Sequence, residues 1–259
     1  MQADFYRMIE ILFASTDPEK LKQGLDLVKK EIARVGSDEA KPLFELVASL
    51  FYIDPLDYPE LVPILEDAIS LVVGFGKWVI PVLIQKLDAG DLKAEIASAH
   101  ALGRIGADTI APLMAEYQSL SDPVRRAFLL YALGKIKSPK IVQAAHLALE
   151  AAESSDRELR DTATRTLGKF AESIPPSDLP EEMRRGFIEK LQKNLADPNP
   201  GIRAKSVRSL GKLAKYGHLT SEEREKLKTT LNLILGKESF EWDRAYIVRK
   251  QAEEALNYV

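Results

Sequence analysis

The chain has 259 residues, no cysteine and a formal charge of −3, with 29% charged and 46% apolar residues. The lack of cysteine excludes disulfides, thiolate zinc sites, iron–sulfur ligation and a cysteine nucleophile, and it suits a reducing compartment. Charge is uneven: residues 1–100 hold 10 Lys/Arg against 17 Asp/Glu, and residues 101–259 hold 26 against 22. An anionic partner is therefore expected to prefer the C-terminal portion.

The first residues, MQADFYRMIEILFAS, carry Asp4 and Glu10 and lack the basic region and cleavage site of a secretory leader. The longest apolar stretch, Leu61 to Leu87, is interrupted by Pro63, Glu66, Asp67, Lys77 and Pro81. A membrane span needs about 20 mostly apolar residues without such breaks. A cytoplasmic location and no membrane contact are expected.

Farther along, apolar residues recur three and four apart in KWVIPVLIQKL, TIAPLMAEYQSL, IVQAAHLALEAA, MRRGFIEKLQKNL and EEREKLKTTLNLIL, which predicts amphipathic helices. No run alternates as a strand would. Asp17-Pro18, Asp122-Pro123, Ser138-Pro139 and Asp197-Pro198 each place a capping side chain before a proline suited to the first helical position. Thr220 with Glu223 fits a capping box. Gly74-Phe75-Gly76-Lys77 lacks the spacing of a phosphate-binding loop and is read as a tight turn between helices.

Four of the segments share an ending: LKAEIASAHALGRIG, VRRAFLLYALGKIK, LRDTATRTLGKFA and IRAKSVRSLGKLAKYG close on a small residue, Leu, Gly, Lys or Arg, then an apolar residue. The glycines are Gly103, Gly134, Gly168 and Gly211; a degenerate earlier copy ends at Gly74, and a last copy places Asn257 in the slot. Successive spacings are 29, 31, 34, 43 and 46. Eight residues before the slot stands Arg126, Arg160, Arg203 or Arg249, with Glu66 and Glu95 in the earlier copies. The two long spacings are assigned to surface insertions at 171–182 and around 216–223, read as longer connections, with partner contact as the alternative.

Such a period, with Asp122-Pro123-Val124-Arg125-Arg126 leading to Ala132-Leu133-Gly134-Lys135, resembles HEAT repeats of the armadillo-like helical class. The resemblance is clearest over 77–217. It implies an all-α, right-handed α-α superhelix of about six antiparallel helix pairs, a single solenoid over 1–259. Residues 1–76 would be degenerate repeats or a cap, and 218–259 a C-terminal repeat and cap. It also implies that Arg126, Arg160, Arg203 and Arg249 are structural, each stacked between repeats against an aspartate, with Asp156 and Asp197 as partners. Arg203 falls within the apolar arc of its helix, where an unpaired charge is costly.

On the resemblance, the second helix of each repeat lines the concave side. Three rows then face outward: Arg104, Lys135, Lys169 and Lys212; His100, Tyr131, Arg165, Arg208 and Glu254; Ala97, Phe128, Thr162, Lys205 and Gln251. Helices pack about 8–10 Å apart, so the first row would form a cation ladder roughly 30 Å long. Lys205, Arg208, Lys212 and Lys215 share one side of a segment, 198–215, with five cations and no acid. Phe128 and Tyr131 would be an exposed aromatic pair beside the ladder, or be covered by a neighbouring helix. Aromatics beside cations anchor many interfaces.

The histidines, His100, His146 and His218, lack partners at metal-ligand spacing, so no metal, cofactor or catalytic constellation is expected. Trp78 and Trp242 are expected to pack between helices, the latter capping the C-terminal end. The reading favoured by these features is a non-catalytic scaffold or adaptor that holds an acidic partner protein on Arg104, Phe128, Tyr131, Lys135, Arg165, Lys169, Lys205, Arg208, Lys212 and Lys215. Two alternatives are kept: nucleic-acid backbone binding in a basic groove, and a lyase or assembly factor of the HEAT type.

Overall fold

The computed structural model describes residues 3–237 and 242–259, and among them it holds fourteen α-helices, short 3-10 turns and no strand. By contacts the chain forms two compact units, Met1–Pro112 and Leu113–Val259. The first contains α1 (Ala3–Phe13), α2 (Pro18–Val35), α3 (Phe44–Ala48), α4 (Val62–Val73), α5 (Val79–Gln85) and α6 (Leu92–Ile105). After α7 (Ile110–Ser119), the second contains α8 (Pro123–Leu133), α9 (Ala145–Ala151), α10 (Arg157–Ser173), α11 (Glu181–Asn194), α12 (Pro200–Lys215), α13 (Ser221–Ile234) and α14 (Tyr246–Leu256). No described helix is long and apolar enough to cross a membrane.

In the first unit, α2, α4 and α6 pack in series, with α3 against α4 and α5 against α6. Phe44, Phe75 and Trp78 meet edge-on at 5.5–6.1 Å between centroids, a favoured aromatic geometry. Gly76 turns the chain between α4 and α5 at φ 84, a conformation that an L side chain resists. Trp78 packs as expected.

In the second unit, α8, α10, α12 and α14 form the equivalent series, and α9, α11 and α13 each pack on the helix that follows. The small-Leu-Gly ending explains how closely that series stacks. A Cβ on Gly134 would sit 3.3 Å from Thr166 Oγ1, one on Gly168 would sit 2.4 Å from Ser209 Oγ, and one on Gly211 would sit 2.9 Å from Ala255 Cβ. Each glycine thus meets the small residue two positions before the next slot. Glycine lowers intrinsic helicity, and here it allows backbones to approach closely.

The arginines eight residues before the slot share one geometry. Arg126 donates to the Leu120 carbonyl at 2.7 Å, Arg160 to Ser154 at 2.6 Å, Arg203 to Asp197 at 2.9 Å and Arg249 to Asp243 at 2.7 Å. Every acceptor lies six residues back, so each guanidinium closes the loop entering its own helix. Two also reach the next repeat: Arg160 pairs with the Asp197 carboxylate and Arg203 with Asp243, each at 2.7 Å. Asp197 therefore gives its side chain to Arg160 and only its carbonyl to Arg203. Asp156 is no arginine partner; it caps α10 by accepting from Leu159 N at 2.8 Å.

Asp17, Asp122 and Ser138 cap as expected, and Thr220 and Glu223 complete a capping box. The Asp197-Pro198 assignment is off by two: Asn199 caps α12 with Pro200 at its start, while Asp197 accepts from Asn199 N. The insertion at 171–182 contracts to 174–180 between α10 and α11. The one around 216–223 is misplaced, since His218 and Leu219 are buried beneath a tight turn at Gly217. The wider separation in that repeat lies between the end of α13 at Ile234 and the start of α14 at Tyr246. Trp242 does not pack between helices: it is 63% exposed, with the Arg249 guanidinium 5.8 Å from its ring centroid.

Candidate functional site: a cation face on the second helices

Because α8, α10 and α12 are stacked in register, side chains at equivalent positions line up across them. Tyr131 and Lys135 come from α8 and its end, Arg165 and Lys169 from α10, and Lys205, Arg208, Lys212 and Lys215 from α12. The structure brings these eight into one unit. Arg104 lies in the other unit, where it is paired with Glu66 and donates to the Glu66 carbonyl at 2.8 Å.

Tyr131 is half-buried, with Lys135 Nζ 4.5 Å and the Arg165 guanidinium 5.6 Å from its ring centroid. Cations so placed over a ring attract its π face. Burial raises the Tyr131 phenol above its ordinary pKa. Phe128 is also half-buried. Neither aromatic is fully exposed or fully covered.

The lysine ladder is largely neutralised from within. Glu172, on α10, accepts from Lys137 at 2.6 Å, Lys212 at 2.7 Å and Lys169 at 3.1 Å. Lys205 pairs with Asp161. Burial alone would push the Glu172 carboxyl up, but the three ammonium groups outweigh it and hold it well below the usual carboxylate range. Burial pushes Lys212 down to about 8, aided by repulsion from Lys169 and opposed by Glu172. Neither Glu172 nor Asp161 stood out in the sequence. The one local signal was Glu172 three residues after Lys169, a spacing that lets side chains meet on a helix.

Glu172 should also mark the acid response of the fold. Its pKa is lower folded than unfolded, so its contribution to stability is present above the ordinary carboxylate value of about 4.5 and is lost as pH falls below it. Glu172→Gln should therefore show a smaller drop in urea midpoint between neutral pH and about pH 3 than the parent chain. An equal drop would mean that other carboxylates dominate.

Arg165 and Arg208 differ from the lysines. Arg208 Nε donates to Gln251 Oε1 at 2.5 Å, and Arg165 rests on Tyr131. Among the described residues neither is ion-paired. With Lys169, Lys205, Ser209 and Lys212 they line a cavity of about 260 Å³ between α10 and α12. Next to it, a space of about 200 Å³ lies between α12 and α14, lined by Arg208, Lys212, Lys215, Tyr216, Gln251, Glu254 and Tyr258 among others. Lys215 Nζ stands 5.0 Å from the Tyr258 ring centroid. Glu254, Gln251 and Tyr258 end the cation face on the α14 side.

Elsewhere in the unit, a groove of about 790 Å³ between α9 and α11 is lined by Glu150, Glu153, Glu181, Glu182 and Glu189, with Arg185 and Lys190. That groove is acid-lined, although α11 itself carries four cations with its three acids. His146 lines that groove, whereas His218 is buried with Nε2 2.8 Å from the Ala171 carbonyl. Burial lowers the His218 pKa. Among the described residues no three metal-ligating side chains converge.

No family model and no curated protein matches the chain. Solved structures do. A chain from the complex of CpcE and CpcF of the phycocyanin lyase of Nostoc sp. PCC7120 is 20% identical at a TM-score of 0.55, the match covering 69% of this chain and 98% of that one. The archaeal HEAT-like repeats protein of Thermococcus onnurineus NA1 is 17% identical at 0.50, covering 98% and 96%. An engineered protein is 17% identical at 0.51, covering 99% and 96%. Likeness at such identity speaks to architecture, and with the helix pairs and repeat register above it shows that the chain has the fold of the HEAT-like helical repeats, an all-α solenoid.

Proposed function

We propose that this protein is a binding scaffold, and that the second-helix face of residues 113–259 seats an acidic segment of a partner protein. The observation that carries this reading is the cavity between α10 and α12, where five cationic side chains converge and two of them, Arg165 and Arg208, are in no ion pair among the described residues. Stacked helix pairs present extended surfaces of this kind to protein partners. Tyr131, held between Lys135 and Arg165, adds apolar area beside the charges. Charge complementarity of this sort mainly sets association rate and choice of partner.

The structure also says which side chains to change. Replacing Lys169 or Lys212 with Glu would put a second carboxylate beside Glu172 and disturb the fold. Arg165 and Arg208 are exposed and can be neutralised without leaving an acid unpaired. Immobilised protein should retain, after nuclease treatment, a protein whose acidic segment, made as a peptide, competes for the surface and is released by salt. An Arg165→Gln/Arg208→Gln variant of unchanged helicity should lose it. Retention by the variant would reject this surface, and loss on nuclease treatment would put nucleic-acid binding first.

A further inference from the structure

We propose that the cavity between α10 and α12 receives one phosphate dianion carried on a partner's protein segment, held between the guanidinium groups of Arg165 and Arg208. This rests on the scaffold reading above and names the group that the acidic segment presents.

The first argument is charge. Five cations line the cavity, and the acids that answer them are Asp161, on Lys205, and Glu172, which is shared by Lys169, Lys212 and Lys137. The surplus exceeds what one carboxylate neutralises. A phosphate monoester carries about −1.5 to −2 near neutral pH, with three strong acceptor oxygens.

The second is donor geometry. Among the described residues Arg165 and Arg208 are in no ion pair: they meet the Tyr131 ring and the Gln251 amide oxygen, and Glu254 lines the space beyond Arg208. Arg208 uses only Nε for that bond, which leaves its terminal nitrogens for an anion. The Arg165 guanidinium carbon stands 5.6 Å from the Tyr131 ring centroid, and among the described residues no carboxylate pairs with it. A planar guanidinium edge matches two oxygens of a phosphate in a fork that an ammonium cannot provide.

Size and surroundings limit the ligand. About 260 Å³ lies below the roughly 300–1,000 Å³ of ordinary small-molecule pockets, and the lining residues are five cations and Ser209, which suits a compact anion. A nucleic-acid strand needs a continuing track of cations. The row here runs Tyr131, Arg165, Arg208, Glu254, so two arginines stand between a neutral ring and an acid. A pair of adjacent arginines suits a single anion more directly than a polyphosphate backbone, which would also have to pass Glu254. Lys212, already depressed by burial and by Lys169, would be relieved by an anion and take up protons on binding near pH 8.

The test uses the full chain and three labelled peptides of alternating Glu and Gly that differ at one central residue: Ser, Glu or phosphoserine. Anisotropy is measured near pH 8 at fixed ionic strength. The phosphoserine peptide should bind about tenfold tighter than the Glu peptide, with proton uptake seen as a buffer-dependent heat. Arg165→Gln/Arg208→Gln should abolish that preference, at unchanged circular dichroism and urea midpoint. Equal binding of the phosphoserine and Glu peptides overturns the phosphate assignment and leaves the acidic-partner reading standing. Failure of all three to bind removes both. Oligothymidylate binding tighter than the phosphoserine peptide, through the same two arginines, replaces the assignment with nucleic-acid binding.

Discussion

Arg160→Ala should lower stability by about 3 kcal/mol, the low end of the cost of breaking a buried ion pair by removing one partner. The Asp197 carboxylate is only 5% exposed and the Arg160 side chain 18%, so solvent replaces little of what is lost. The same substitution frees the Ser154 carbonyl that Arg160 binds at 2.6 Å. Most of the loss is the charge left behind, which gives the prediction a sharper form. Asp197→Asn keeps an acceptor for Asn199 N and removes that charge. The double variant Arg160→Ala/Asp197→Asn should therefore be less destabilised than the sum of the single changes by roughly 1 kcal/mol or more. Urea unfolding of the four proteins measures it. Strict additivity would mean that the two side chains act independently in solution.

Gly168→Ala should cost about 2 kcal/mol, although alanine is the better helix former by roughly 1 kcal/mol. The added Cβ would stand 2.8 Å from Ser209 Cβ and 2.9 Å from Ser209 Cα. Those atoms are fixed to α12, so no rotamer relieves the contact and the two helices must separate. Overpacking of this kind costs about 1–3 kcal/mol or more. The separation would also strain the bond from Ser209 Oγ to the Thr164 carbonyl, now 2.9 Å. Gly201→Ala offers a contrast, because its nearest contact is the cap oxygen of Asn199 at 3.0 Å rather than a neighbouring helix. A Gly168→Ala midpoint at or above that of the parent chain would mean that α10 and α12 are farther apart than the structure places them.

The fold was legible because its signals are local and periodic. Apolar spacing gives helices, Asp-Pro and Thr-x-x-Glu give their starts, and the glycine slot gives the register. The register carried the arginine row and the outward rows with it, since equivalent residues on stacked helices align. Acids from adjoining helices were not legible. Lys212 meets a Glu172 that lies 40 residues away in sequence, and Arg203 an Asp243 also 40 away. Periodicity shows which arc a cation occupies and says nothing of what the next helix sets against it. The lysine ladder therefore read as free charge, whereas Lys169 and Lys212 share Glu172, and Arg165 and Arg208, one turn earlier, are in no ion pair among the described residues. Errors in the connections have a similar source: spacing fixes the length of a repeat without telling which of its two loops is longer.

The arginine geometry bears on how such a chain can change length. Each guanidinium meets a carbonyl six residues before itself, and in two repeats also the carboxylate of the loop that follows. Asp197 precedes Arg203 by the same interval as Asp243 precedes Arg249. Excising residues 169–211, one whole period, would join Gly168 to Lys212 and set Arg160 toward Asp243 as it now faces Asp197. Duplicating that period would likewise rejoin like with like. A cut that removed Arg203 without bringing Arg160 into its register would leave Asp243 facing no guanidinium. Modules defined this way are interchangeable in whole numbers only, which makes recombination between copies a tolerated route to longer or shorter arrays and small insertions outside the loops a poorly tolerated one.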